Sequence, residues 1–452
     1  MEIVKIKPSI FREYDIRGIY EDDIDANMAY TLGKGFGSYI QNSGETKTIV
    51  GYDNRMSSPI LNDALIKGIT STGVDVVELG LVTTPMYYFA RKKLDFETGM
   101  MITASHNPKE YNGFKFAFDS LSNACGDMIY DFRDFIEEGN FKSGNGNISN
   151  YDIKDEYINL LKDSLDFGDK QIKIVIDCGN GTAAVYIKEI LDSLNIHYYP
   201  LYCDSDPDFP NHHPDPTVSE NMQDLKNKVL ELGYDLGIGI DGDGDRVGVV
   251  DEKGNIIPTD IFMIPFYRDL RPSKGLFDVK CSRTLKDELD KLGIEKTMYR
   301  TGNSYMSRMV VEGDFIFAGE YSGHVWFRDK FPGLDDGVYG GLRMVELLSK
   351  SDKSLSELLQ DINKYYSTEE IKIRVTDENK FGIVNKMKEY SKSKGYEIFD
   401  IDGVRAEFDD GWALIRASNT GPNITTRFEA TTKERLEEIK TEFMNELESY
   451  LL

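Results

Sequence analysis

The sequence predicts an α/β protein built of three related mixed-sheet units, followed by a smaller α+β domain. Three observations carry this reading. The stretches TIVGYDNRMSS (48–58), IKIVIDCGNGTAA (172–184) and KGLFDVKCSRTL (274–285) share one layout: a short apolar run, a polar or glycine turn, then an amphipathic helical segment. Such repeated β-α-β patterning belongs to buried mixed sheets covered by helices. At 452 residues the chain is also too long for one hydrophobic core, and ordinary domain sizes give three or four units. Finally, the pattern changes after a polar stretch near 365–370.

Taken in order, the first unit pairs its opening strand with a second one at 74–80 and ends in the Gly/Asn/Ser-rich stretch 139–150. The second repeats the layout, with its next strand at 197–203, and ends near the turn DEKGN (251–255). The third runs to the polar stretch. Beyond it, a strand-like 371–375, a helix near 381–394, the apolar run GWALIRASN and a terminal helix from about 432 make the α+β domain. The expected boundaries are 1–148, 149–254, 255–368 and 369–452.

Charged residues at 29% and hydrophobic ones at 40% describe a globular chain with a buried core. Its net charge of −25 repels polyphosphate backbones and anionic membrane surfaces, which argues against nucleic acid and membrane partners. An anionic ligand would therefore need cations gathered locally. The four cysteines have no CxxC spacing, the N-terminus lacks a signal-peptide core, and no apolar run approaches the ~20 residues of a membrane span. A soluble cytoplasmic protein with reduced thiols is expected.

The strongest chemical signal is LGIGIDGDGDRVGVV (236–250). In an extended chain Asp241, Asp243 and Asp245 share one face, and carboxylates that crowded call for a hard cation such as Mg²⁺. An EF-hand reading adds Glu252, but Arg246 stands where its turn glycine belongs and the flanks read as strands. An aspartyl-phosphate reading takes Asp243 as nucleophile, with Asp335 and Asp336 on a metal. A plain acidic hairpin turn explains the strict spacing less well. IDCGNGTAA (176–184) partly mimics a dinucleotide fingerprint, with Asp204 after the next strand, but a tight strand-to-helix turn is the preferred reading.

AGEYSGHVWF (318–327) offers Glu320 and Ser322 for sugar hydroxyls and His324 for a proton, against the plain reading of a capped loop. RASNTGPNITTRFEA (416–430) gathers Arg416, Ser418, Asn419, Thr420 and Arg427, donors that suit a phosphate as well as they suit an ordinary Asx turn. Arg17 and Lys280 stand beside turn or strand-end positions where cations serve ligands. In TASHNPKEYNGFK (103–115), His106 is expected to be structural, because a histidine rarely reaches the hydroxyl of the residue before it in triad geometry.

In order along the chain, YDIRG, TASHNP, NGFK, DGDGDR, DVKCS, RTGNS, GEYSGH and RASNTGPNITTRFE resemble the α-D-phosphohexomutases, and among these the bacterial phosphomannomutase/phosphoglucomutase branch. The resemblance implies four domains around a central cleft, the last with a TATA-binding-protein-like topology. It implies that Ser105 carries a phosphate and that one Mg²⁺ is held by Asp241, Asp243, Asp245 and a phosphoserine oxygen. It further implies interconversion of hexose 1-phosphate and hexose 6-phosphate through a hexose 1,6-bisphosphate, which also serves as activator. Lys115 and His324 would move protons, with Arg17 and Arg246 supplying charge. Glu320 and Ser322 would grip sugar O3 and O4, while Lys280, Arg416, Ser418, Asn419, Thr420 and Arg427 hold the non-reacting phosphate. Tyr14, Thr301, Gly302 and Asn303 fall in further substrate motifs. The partners implied are small sugar phosphates, and the chain is expected as a monomer or homodimer. Two departures bear on sugar choice: Asn303 replaces a histidine common in relatives, and Tyr321 replaces a Met or Gln. A phosphoglucosamine mutase therefore stays open as an alternative, as does an aspartyl-phosphate mutase or phosphatase acting through Asp243.

Overall fold

The computed structural model describes residues 1–419 and 421–451. The chain divides into two compact units, one of residues 1–259, 307–316 and 322–358, the other of 260–306, 317–321 and everything from 359 onward.

Two mixed sheets make the first unit. The six strands of one run in the order Ile16–Ile19, Tyr111–Ala117, Gly99–Ile102, Lys47–Tyr52, Asp75–Leu81, Ile148–Asn150, with the first two junctions antiparallel and the rest parallel. Gly99–Ile102 is buried throughout, as a central strand covered on both faces must be. Its last residue leads directly into the Ser105 loop. The stretch 139–150, expected to be a linker, ends in the edge strand Ile148–Asn150 instead, paired in parallel with Asp75–Leu81. Its Gly/Asn/Ser composition hides that pairing because all three strand residues are exposed.

The other sheet places Ile256–Ile257, Val247–Asp251, Leu236–Ile240, Lys173–Asp177 and His197–Leu201 side by side. Leu236–Ile240 and Val247–Asp251 are antiparallel and wholly buried, so the aspartate loop between them closes a rigid hairpin. The helix Gly337–Ser349 packs on both strands.

In the second unit the strands Glu295–Tyr299, Lys274–Asp278 and Phe317–Gly319 lie parallel in that order. An antiparallel sheet then orders Tyr366–Ser367, Asn423–Ala430, Gly411–Ala417, Val404–Phe408 and Glu397–Phe399, with Ile371–Arg374 also on Asn423–Ala430. The helix Lys433–Ser449 starts on a Thr432 cap and buries Leu436, Ile439, Phe443 and Leu447, the three- and four-residue spacing of a one-sided helix. With Lys380–Ser393 it covers one α+β core, as the sequence predicts.

Candidate active site

The aspartates do converge, but not by strand alternation. Residues 241–245 form a turn with Gly244 in the left-handed region at φ +89°, and one carboxylate oxygen from each aspartate lies within 4.8 Å of the others. Asp241 Oδ1 accepts the amides of Gly244 at 3.0 Å and Arg246 at 3.1 Å, which fixes the turn. Thr84 Oγ1 donates to Asp243 Oδ2 at 2.6 Å. Lys115 Nζ bridges Asp243 Oδ2 at 2.9 Å and Asp245 Oδ2 at 2.7 Å.

The remaining oxygens decide whether a cation fits. Asp243 Oδ1 and Asp245 Oδ1 are buried without a hydrogen-bond partner among the described residues. Buried carboxylate oxygens are costly to leave bare, and an all-oxygen set suits a hard cation. Burial and the neighbouring Asp245 and Asp243 push the Asp241 carboxyl well above its usual range, and burial with Asp243 pushes Asp245 up. Asp243 goes the other way: burial opposes its charge, but Lys115 and the Thr84 hydrogen bond hold its carboxyl far below the ordinary value. Lys115, despite burial, is kept protonated by Asp243 and Asp245.

Ser105 docks on this cluster. It sits at φ +51°, and its Oγ donates to Asp241 Oδ2 at 3.1 Å. A Cβ on Gly242 would stand 2.5 Å from the Ser105 carbonyl oxygen, so only glycine lets the two loops approach this closely. His106 lies with its Nδ1 3.1 Å from Ser105 Oγ. It lacks an aligned carboxylate, since Asp215 Oδ2 is 4.0 Å from its Nε2. Burial, with Arg246 and Arg17 nearby, pushes its pKa well below the usual histidine value.

Arg246 Nε donates to His324 Nε2 at 3.1 Å, and His324 Nδ1 lies 3.1 Å from Asp335 Oδ2. Arg17 pairs with Asp15 at 2.8 Å and reaches Asn107 Oδ1 of the serine loop at 2.7 Å, with Tyr14 acting on its charge. Ser322 is half-buried in this same unit.

The competing readings lose their geometry. Asp243 has zero exposure and its Oδ2 is taken by Thr84 and Lys115, which does not suit a nucleophile. Asp336 caps the helix Gly337–Ser349 and accepts Tyr157 Oη at 2.7 Å. Glu252 is tied to Ser354 and Ser356 rather than to the aspartate loop. The glycine turn at 179–181 serves packing: Thr182 N donates to Gly242 O at 2.9 Å.

The second unit gathers another set. Glu320 Oε1 accepts the Gly302 amide at 2.6 Å, and Thr301 binds Asp278 Oδ2 through its hydroxyl at 3.2 Å and Asp402 Oδ2 through its amide at 3.0 Å. Arg416 Nε donates to Asp402 Oδ2 at 2.9 Å. Arg427 Nη1 donates to the Lys280 carbonyl while its guanidinium lies 3.8 Å from the Tyr321 ring centre. Lys280 Nζ is 3.1 Å from Glu370 Oε1. Asn303, at 8% exposure, opens the helix Asn303–Glu312. Ser418 N donates to Asn423 O at 2.8 Å, and Asn419 Nδ2 is buried without a partner among the described residues. Thr420 lies outside the described residues.

Sequence reasoning missed Arg55. Its guanidinium is buried and donates to the carbonyls of Ser105, Asn107, Pro108 and Tyr111 at 2.6–2.9 Å while pairing with Asp53 at 3.2 Å, so it holds the whole serine loop. The available signal was its place just past the carboxyl end of Lys47–Tyr52, where open α/β sheets put their ligands. Lys380 does the same for the other loop, donating to Ser418 O at 2.7 Å and Gly421 O at 3.3 Å.

Four domain models match the chain in order, described as phosphoglucomutase/phosphomannomutase alpha/beta/alpha domain I (residues 8–131), domain II (155–254), domain III (264–366) and C-terminal domain (370–446). The chain is 40% identical over 447 residues to a phosphomannomutase/phosphoglucomutase of Pseudomonas aeruginosa, covering 98% of this chain and 96% of that protein. It is 36% identical to a phosphoglucomutase of Neisseria meningitidis, covering 99% and 98%. A solved phosphoglucomutase/phosphomannomutase family protein from Burkholderia thailandensis superposes with a TM-score of 0.90 at 35% identity, covering 98% of each chain.

Proposed function

Since the chain belongs to the phosphoglucomutase/phosphomannomutase family, we propose that it reversibly interconverts the 1-phosphates and 6-phosphates of glucose and mannose. Ser105 carries the phosphoryl group, and a hexose 1,6-bisphosphate is intermediate and activator. The observation that supports this best is the docking of Ser105 Oγ, 3.1 Å from Asp241 Oδ2, on a carboxylate cluster with two bare buried oxygens.

In the first half-reaction the bond from phosphorus to Ser105 Oγ breaks and a bond from phosphorus to the free sugar hydroxyl forms. Lys115, held protonated, gives a proton to the departing Oγ, and His324, backed by Asp335 at Nδ1, takes the proton of the sugar hydroxyl at Nε2, where the hydroxyl replaces the Arg246 contact. After the bisphosphate turns end for end, the same transfers run in reverse and the other phosphate returns to Ser105. A Mg²⁺ held by Asp241, Asp243 and Asp245 would offset the charge on the transferring phosphoryl group. Arg17 and Arg55 hold the serine loop in register.

The second unit contributes Glu320 for sugar hydroxyls and Lys280, Arg416, Ser418, Asn419 and Arg427 for the non-reacting phosphate. A grip on O3 and O4 accepts both sugars, because glucose and mannose differ at C2. Among the described residues no helix is long and apolar enough to cross a membrane, and all four cysteines are free and buried. We place the enzyme in the cytoplasm, as a monomer or homodimer. The test is turnover of glucose, mannose and glucosamine 1-phosphates with Mg²⁺: wild type should favour the first two, and Ser105→Ala should be inactive. Retained turnover in Ser105→Ala overturns the assignment.

A further inference from the structure

Each cation assigned to the non-reacting phosphate already faces a carboxylate. Arg416 Nε is 2.9 Å from Asp402 Oδ2, Arg427 Nη1 is 3.6 Å from Asp260 Oδ2, and Lys280 Nζ is 3.1 Å from Glu370 Oε1. An entering phosphate must share these cations or displace their partners.

The three carboxylates are not equivalent. Asp402 also accepts the Thr301 amide and Asp260 accepts the amides of Ser282 and Ile261, so both are tied to backbone and their side chains are 7% and 1% exposed. Glu370 is different. Its side chain is 25% exposed, and it precedes the strand Ile371–Arg374 rather than lying in it. Burial works against its charge, but Lys280, Arg416 and Arg427 together keep it ionised.

We propose that Glu370 is a displaceable counter-ion, which covers Lys280 in the ligand-free enzyme and yields it to the phosphate of the substrate. The inference rests on the phosphate site of the proposed mutase reading. Its physical content is a subtraction: a buried ammonium without a partner would grip a dianion strongly, and a carboxylate that must first be moved aside cancels part of that gain. A mutase benefits from the cancellation, because a bisphosphate that binds too tightly by either end cannot turn over. Glu370 thereby sets phosphate affinity, and Lys280 keeps a charge partner through the whole cycle.

The test is calorimetric titration of the full chain with inorganic phosphate. Glu370→Gln should bind it about tenfold more tightly, about 1.4 kcal/mol. Glu370→Asp, whose carboxylate is withdrawn by one methylene, should show a smaller gain in the same direction. In a Lys280→Met background, Glu370→Gln should change nothing. In turnover the KM for hexose phosphate should fall in Glu370→Gln without a rise in kcat. Unchanged or weaker phosphate binding by folded Glu370→Gln overturns the proposal, as does a gain that persists without Lys280. Failure of both Glu370 variants to fold also overturns it, since Glu370 would then be a fixed structural partner. A wild-type chain that binds no phosphate removes the underlying phosphate site as well, and so separates that failure from a failure of the counter-ion alone.

Discussion

In the first unit Asp241, Asp243 and Asp245 gather three buried carboxylates around Lys115 and Arg246, whereas in the second unit Lys280, Arg416 and Arg427 each already face a carboxylate. The first arrangement crowds carboxylates and, among the described residues, leaves two of their oxygens bare, so it is completed by taking in a cation. In the second, every cation already has a carboxylate partner at rest, so it works by exchanging one anion for another. One chain thus solves two problems of phosphate chemistry differently: stabilising charge during transfer, and holding a dianion loosely enough to release it.

The contrast breaks most visibly at Asp243. Asp243→Asn removes a bare oxygen's charge and one partner of Lys115, and kcat/KM should fall on the order of 10³-fold with loss of the Mg²⁺ requirement's steepness. A loss under tenfold, in a chain with unchanged circular dichroism, would mean that the first unit does not depend on an incoming cation. Lys280→Met probes the other side: KM should rise about 10- to 100-fold while kcat changes only a few-fold, because the interaction is made equally in ground and transition states. A collapse of kcat with unchanged KM would place Lys280 in the chemistry and erase the distinction.

The smallest effect concerns Asp336, a buried carboxylate that accepts Tyr157 Oη and backbone amides beside the charge of Asp335. Burial pushes its carboxyl up to about 7. The folded chain therefore keeps this proton where the unfolded chain, with a carboxyl near the usual ~3.9, has lost it. Its contribution to stability is full below that value and is lost as pH rises through about 7. Comparing melting temperatures, Asp336→Asn should gain on wild type by a few degrees between about pH 5 and pH 8. No pH-dependent difference would show that uncompensated carboxylates in this unit are better solvated than their burial implies.

Much of this was legible in the sequence because the relevant signals are local. The strand-turn-helix repeats, the aspartate loop between apolar strands and the terminal helix are all set by neighbours within a few residues. What escaped depends on distant partners. Arg55 looks like an ordinary turn cation until the loop 105–111, fifty residues on, supplies four carbonyls for it. Glu370 and Asp402 gain meaning only beside Lys280 and Arg416. The aspartates converge through a positive-φ turn at Gly244 rather than through strand alternation, a geometry that their spacing alone does not reveal. The contact of His106 Nδ1 with Ser105 Oγ also escapes sequence adjacency, because it depends on the left-handed conformation of Ser105.

The central claim is that Ser105, docked on a carboxylate cluster, is the phosphate carrier. Its most direct test is to map the phosphate on the purified full chain after brief incubation with a hexose 1-phosphate and Mg²⁺. The predicted result is a phosphate on the peptide containing Ser105, stable to hydroxylamine and absent from Ser105→Ala. A hydroxylamine-labile phosphate on the peptide containing Asp243, still formed by Ser105→Ala, would contradict it.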